Sequence, residues 1–489
     1  MTSLLDGPGT ETVCSQEIER VLEAAGYNQH DEMQVSRRPV VFMGNAIAGT
    51  GDVLPFMRVV TAQSSQSTDV TQELPQHLEA EYHILLLCTR NMQWLVTEVQ
   101  DQLQAMDPKI ADSITFYSSL ETWVCALETT SEVDAVVLNQ GDKWARPEED
   151  DGHPVLWARM IDAVVLGGSA LLQMEFMWLN TRKTDFFELE RACRGRLPRL
   201  SLQCYPAWLL ADEERGRTAG VLCGAVEPYV PSAAKLAQPG LEDFFRAQQR
   251  QVRKVIMLAR GGRASPARFD FDAVGIVDGP PDVVKDLLTL PDIAVLILGG
   301  SKSEFEQLAP RLFTVPYLRV DFRQIFARVD VVVHHGGTGT TFTALRCGTP
   351  QIIVRNKGDC PDQQTQARKV SELLCGRSLQ SRESLSDASR DIVDAVEDAV
   401  LNHGRYKVWC DKAQAKMLAE ENLRPSRIVR GLQKLIIGVV FLKEAGIWEG
   451  WTDEMMAKDD EYADAIEKLK NQEDAKERME AQDGMERLG

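Results

Sequence analysis

The sequence predicts an α/β protein built from two tandem doubly wound, Rossmann-like domains that face a cleft between them. Three observations predict it: strands that read as near-continuous apolar runs, glycine-rich turns where those runs end, and recurrence of the strand–helix series on both sides of a proline-bearing linker near residues 225–245. Unbroken apolar runs are what a parallel sheet covered on both faces demands. A strand, a glycine turn and a helix in succession open a doubly wound unit.

Residues 1–36 read as a polar leader. The first strand is Val40-Val41-Phe42-Met43, ending at Gly44; the turn Ala48-Gly49-Thr50-Gly51-Asp52-Val53 follows. Residues 54–62 then read as a helix with Pro55 in its first turn, where a missing N–H costs little. Further strands are expected at 82–88, 114–117 and 133–138, with a helix at 91–103. Residues 161–179 are the best candidate for a membrane span but carry Asp162, Gln173 and Glu175. They read as a buried or interfacial helix, not as a span of about 20 apolar residues. Beyond the linker, strands are expected at 254–259, 294–298, 318–320, 329–333 and 351–354, and 435–442 reads as a second buried or interfacial helix. The domains are therefore 37–230 and 231–435, followed by a C-terminal helix and acidic tail at 436–489.

Composition narrows the function. The 489-residue chain has a formal charge of −19, from 73 acids against 54 Lys and Arg. Nucleic acid is a poor partner, because phosphate backbones need a clustered basic face. The last 39 residues hold 13 acids and 6 bases and read as solvated surface. Ten cysteines form no C-x-x-C pair, so neither a zinc knuckle nor a dithiol site is expected, and no metal or cofactor is. Without a signal-peptide core, the expected location is the cytoplasm, with peripheral membrane contact left open. The chain is expected as a monomer or a homodimer.

The strongest local pattern is Val331-Val332-Val333-His334-His335-Gly336-Gly337-Thr338-Gly339-Thr340-Thr341. A buried strand runs through three glycines and three threonines into a helix. Glycines let backbone approach an anion, the N–H groups of a helix start point outward at the positive dipole end, and threonine hydroxyls add donors. A histidine at the strand edge adds another donor. No Gly-Lys-Ser/Thr follows, so this is not a P-loop, and the spacing is not that of the dinucleotide fingerprint.

His334 to Thr341, with Gly348-Thr349-Pro350-Gln351 behind it, resembles the sugar-nucleotide signature of GT-B glycosyltransferases. The likeness is to the sterol, macrolide and glycopeptide branch of the UDP-glycosyltransferase superfamily. Gly49-Thr50-Gly51-Asp52-Val53-Leu54-Pro55 resembles that branch's N-terminal turn, with Thr50 where the branch has arginine. The resemblance covers about residues 38–435 and implies an acceptor-binding N-terminal domain and a nucleotide-sugar-binding C-terminal domain. It places the donor diphosphate on His335, Gly337, Thr338, Gly339, Thr340 and Thr341; Arg263, just after Arg260-Gly261-Gly262, is a candidate for compensating charge beside it. It places the donor sugar on Asp362 and Gln363, with Asp359 as the alternative. The uridine falls near Gln324, where the family carries an aromatic, and Phe322 is the nearest aromatic side chain.

An inverting transfer needs a base for the acceptor hydroxyl. Asp52, at the end of the first strand, matches the acid proposed for this branch, although an aspartate there also suits an N-cap. His153 is the alternative base. The apolar run 166–179 is a candidate wall for a lipophilic acceptor, though such residues are more often plain core. The reading is a UDP-sugar-dependent inverting glycosyltransferase acting on a lipophilic hydroxyl-bearing small molecule, such as a sterol, terpenoid or polyketide. A non-catalytic nucleotide-sugar binder and a sugar-nucleotide epimerase remain the alternatives.

Overall fold

The computed structural model describes residues 39–45, 83–88, 114–130, 132–139, 170–175, 199–210, 240–259, 282–298, 306–315, 322–355, 361–380, 385–422 and 436–441, with isolated positions between them. The leader, the turn around Asp52, the segments around His153, Arg263 and Asp359, and the acidic tail lie outside the described residues.

Among the described residues, two seven-stranded sheets form the scaffold. The first holds β1 (Val40–Asn45), β2 (His83–Cys88), β3 (Ile114–Tyr117), β4 (Ala135–Asn139), β5 (Ala170–Glu175), β6 (Arg199–Gln203) and β7 (Val221–Leu222). Their order is β3-β2-β1-β4-β5-β6-β7, and every pairing is parallel. Helix α1 (Leu120–Thr129) covers part of one face. Ser119 caps it by accepting the Thr122 N–H at 3.2 Å, and its buried stripe is Trp123, Val124 and Leu127. Trp123 donates to the Leu85 carbonyl at 3.1 Å and meets Phe42 edge-on, so its one polar atom is satisfied inside the core.

The second sheet holds β8 (Lys254–Ala259), β9 (Ile293–Leu298), β10 (Glu306–Ala309), β11 (Leu312–Val315), β12 (Val331–His334), β13 (Gln351–Arg355) and β14 (Gly376–Gln380). Its order is β10-β11-β9-β8-β12-β13-β14, parallel except for the β10–β11 hairpin at one edge. Helices α2 (Leu241–Arg250), α3 (Asp282–Thr289), α4 (Phe322–Phe326), α5 (Thr338–Cys347), α6 (Pro361–Glu372), α7 (Leu385–Leu401) and α8 (His403–Asn422) surround it. One core layer joins Ile256, Leu258, Val331 and Val333 to α3 and α7, and the other joins Val255, Met257 and Val332 to α2 and α4. Alternate strand residues thus feed opposite faces, which is why these strands are apolar throughout.

Strand order reverses between β1 and β4 in the first sheet and between β8 and β12 in the second. Ligands of open α/β sheets bind beyond the strands' carboxyl ends at such switch points. Both switch points are pinned alike at the opposite end. Asp134, just before β4, accepts the Val40 N–H at 2.9 Å, while its own N–H donates to Val40 O at 2.9 Å. Asp330, just before β12, accepts the Val255 N–H at 2.9 Å and donates to Val255 O at 2.8 Å. Each carboxylate faces a lysine, Lys443 at 3.7 Å and Lys254 at 2.9 Å. Lys443 also donates to Val133 O, tying the helical residues 436–441 to the first sheet.

One sequence expectation needs correction, and the sheets add strands that the sequence did not announce. Residues 170–175, expected within a helix, form strand β5, because parallel partners β4 and β6 flank them. Pairing overrides a segment poor in β-branched residues. The strand expected at 318–320 lies outside the described residues; ahead of it, Leu312–Val315 forms β11, paired with a hairpin partner, β10, that no turn signal announced. The sheets also run further than expected, through β6 and β7 in one and β14 in the other. The helix expected at 435–442 is present, with Ile436, Ile437, Val439 and Val440 buried.

Gly376 opens β14 beside Gln351, and a Cβ there would lie 1.8 Å from the Gln351 carbonyl oxygen. The nearest atoms are all Gln351 backbone, so no flexible side chain is there to yield. Gly376→Ala is expected to cost about 3 kcal/mol or more, the upper range for overpacking, measured by urea denaturation.

Candidate active site

The site is built at the carboxyl end of β12, on the second switch point. His334 is the last residue of the strand and is wholly buried. Its Nδ1 accepts the Gly336 N–H at 3.2 Å, so Nε2 carries the ring proton and donates to Gln351 Oε1 at 3.0 Å. Burial first, and the neighbouring His335 second, push its pKa down to about 3, so it stays neutral. His334 is therefore a hinge pin for the turn.

The turn it pins has Gly336 at φ 88°, in the left-handed region. A Cβ there would lie 2.9 Å from Ile353 Cγ2 and 3.3 Å from Gln363 O, so both conformation and space require glycine. Gly337 follows as the N-cap of α5. A Cβ on Gly337 would come 2.6 Å from His335 Nε2, which places the His335 imidazole directly over this residue. The histidine pair thus splits its duties. His334 is built into the sheet and His335, half-buried, stands over the helix start.

Helix α5 begins without a side-chain cap and without an acid in its first turn. Its first-turn N–H groups have no helical acceptor and sit at the positive end of the dipole. Thr341 Oγ1 bonds back to Gly337 O at 3.0 Å and Thr343 Oγ1 to Gly339 O at 2.7 Å, so these hydroxyls are committed to the helix. Thr338 differs: it is 6% exposed, and its Oγ1 is buried with no hydrogen-bond partner. An unsatisfied buried hydroxyl costs about 1–3 kcal/mol, which a ligand oxygen would recover. Thr340 and Gly339 are half-buried on the same turn. Backbone N–H groups at an uncapped helix start beside an unpartnered hydroxyl are the groups from which a candidate anion cradle is built.

Helix α6 closes one side. Gln363 is buried in its first turn, and its backbone borders Gly336. Asp362 lies in the same turn, and the described residues give nothing of its side chain. On α4, Gln324 is exposed, whereas the Phe322 ring is half-buried and edge-on to Phe326 at 6.4 Å, leaning into the core. The structure thus gathers His335, Gly337, Thr338, Gly339, Thr340, Thr341 and Gln363 around one turn. Asp52, His153, Arg263 and Asp359 fall outside the described residues.

Sequence reasoning missed several supports. Gln351 holds His334. Thr349 Oγ1 donates to Phe326 O at 2.7 Å, and Gly348 takes φ 63° at the end of α5. Arg346, buried near that end, reaches Val226 O at 2.9 Å. Tyr205, after β6, packs on α5 and α6 from the first domain. The segment Gly348-Thr349-Pro350-Gln351 did carry a signal, since proline between glycine and a strand marks a fixed connection.

Residues 291–435 match the family described as "Erythromycin biosynthesis protein CIII-like, C-terminal domain". A 96-residue stretch is 38% identical to a sterol 3-beta-glucosyltransferase of Pichia angusta, covering 19% of this chain and 7% of that protein. Over 57 residues the identity to the vancomycin aglycone glucosyltransferase of Amycolatopsis orientalis is 44%, covering 12% of this chain and 13% of that one. The matched stretches are thus a small part of these relatives. Across the fold, the spinosyn rhamnosyltransferase SpnG superposes with a TM-score of 0.52 at 13% identity, over 81% of this chain and 100% of that one. The calicheamicin glycosyltransferase CalG4 gives 0.51 at 14%, over 84% and 99%. Residues 291–435 thus match that C-terminal domain family, and the superpositions show the fold the chain shares with these glycosyltransferases. The two doubly wound sheets are the GT-B architecture, and the cradle on α5 lies within the matched C-terminal domain.

Because His334 stays neutral in the fold while an unfolded histidine protonates near pH 6.5, folding stability is complete above that value and is lost as pH falls toward 3. Its share of the loss between pH 7 and 5 is roughly 2 kcal/mol. His403, also depressed by burial, acts in the same direction. Denaturation midpoints at pH 7 and 5 should therefore fall less in His334→Gln than in the wild type.

Proposed function

We propose that the protein transfers a sugar from a nucleoside-diphosphate sugar, a UDP-sugar in the first instance, to a hydroxyl of a lipophilic small molecule, with inversion at the sugar carbon. One observation carries the reading: an uncapped helix start on a left-handed glycine turn, with the buried Thr338 hydroxyl lacking a partner. The printed name of one relative, a sterol glucosyltransferase, supports a lipophilic acceptor, and that of another, an aglycone glucosyltransferase, supports a non-sugar acceptor.

In this reading the diphosphate sits against the first-turn N–H groups of α5, with Thr338 and His335 as side-chain donors. Gln363, with Asp362 or Asp359, holds the sugar hydroxyls. Asp52, or His153 in its place, takes the proton from the acceptor hydroxyl as its oxygen bonds to the sugar's anomeric carbon. The bond from that carbon to the diphosphate oxygen breaks, and the electron pair leaves on the nucleoside diphosphate. Charge then develops where N–H dipoles are already oriented, so no reorganisation is needed at the moment of reaction. The proposal routes no step through a metal. Phe322 and Gln324 border the base in this scheme, and Arg263 adds charge beside the diphosphate.

Thr338→Val separates binding from folding. Removing a hydroxyl that has no partner should leave the unliganded unfolding midpoint unchanged or raised, while UDP affinity falls roughly fivefold for one lost hydrogen bond. A fall in stability with unchanged UDP affinity in calorimetry would sink the cradle. His335→Ala should weaken UDP by roughly tenfold or more, as the loss of a donor to a charged oxygen does. Asp52→Asn should abolish most turnover with donor affinity intact; a wild-type rate would move the base to His153.

A further inference from the structure

We propose that Tyr205 is a positioning residue through which the N-terminal domain sets the two helices bordering the donor cradle. The inference rests on the donor reading above and extends it across the domain boundary.

The chain leaves the carboxyl end of β6 and within two residues buries Tyr205 against the second domain. Its ring meets Phe342 edge-on at 5.3 Å and 68°. Phe342 lies four residues after Thr338, so the two share one face of α5. The Tyr205 hydroxyl donates to Gln366 Oε1 at 3.3 Å. Gln366 lies three residues after Gln363 on α6, and the Gln363 backbone is what presses on Gly336. One side chain from the acceptor domain therefore touches both helices whose first turns flank the left-handed glycine.

A ring alone would fill the space. The hydroxyl does more, because Gln366 is 1% exposed and its Nε2 has no partner. A buried amide half-satisfied by a single bond depends on that bond for its orientation. A second tie lies at the far end of α5, where Arg346 reaches the Val226 carbonyl. Helix α5 is thus held by the first domain at its middle and near its C-terminal end, and a shift of that domain reaches the cradle through Tyr205.

Tyr205→Phe keeps the ring and removes the link. Two measurements test it: calorimetric titration with UDP and with TDP, and amide hydrogen exchange over residues 336–342 and 361–368. Affinity should fall roughly fivefold and exchange should rise in both segments, as expected for one lost hydrogen bond. Gln366→Leu should lower affinity similarly, and the double variant should lower it no further. Unchanged affinity and exchange in Tyr205→Phe, or a drop only in unfolding midpoint, would overturn the proposal. If the wild type binds neither nucleotide while exchange still rises, the donor reading fails and the link between the domains stands.

Discussion

The second domain is organised around the two hydrogen bonds of the His334 ring. One nitrogen receives the Gly336 N–H and the other gives its proton to Gln351. The first bond fixes a turn that no residue but glycine can make, and the second locks β12 to β13. With both in place, the chain must leave the sheet at the angle that puts Gly337 at the head of α5. Everything the cradle offers, from its uncapped N–H groups to the Thr338 hydroxyl, follows from that exit. Burial keeps the ring neutral, so the arrangement is stable against ordinary swings of pH near neutrality.

The cradle is not the property of one domain alone. Tyr205, Leu209 and Leu210 share a single apolar cluster with Phe342, Leu345, Ala367 and Met417. Buried contact of this kind makes the two sheets partners in one packing problem, and interfaces of packed side chains shift between discrete arrangements. The overall charge of −19 bears little on ligand choice. A diphosphate here would be met by local dipoles and hydroxyls, with no positive field from the protein as a whole.

Much of this was legible in the chain. Apolar runs marked β1, β2, β8, β9, β12 and β13, because strands buried on both faces leave no polar alternation to confuse them. Glycines and threonines after His335 marked the turn from β12 into α5, since few other sequences allow so tight an exit from a strand. What escaped were features decided by distant partners. Ala170–Glu175 becomes a strand only because β4 and β6 flank it, and β10 exists only as the partner of β11. The duty of His334 was hidden, because its partners, the Gly336 N–H and Gln351, are fixed only by the turn and the neighbouring strand. Tyr205 was invisible for a similar reason: its partner Gln366 lies 161 residues away.

The paired aspartates at the amino ends of the sheets have a consequence for how the chain is made. Asp330 meets its cation, Lys254, within its own domain. The lysine facing Asp134 is Lys443, which also bonds Val133 across 310 residues of sequence. During synthesis the second domain therefore has every part of its switch point to hand as soon as it emerges. The first domain, although translated earlier, acquires this closing contact only after the second has followed it. The order of translation and the order of completion are opposite, and the N-terminal half waits longest in its unfinished state.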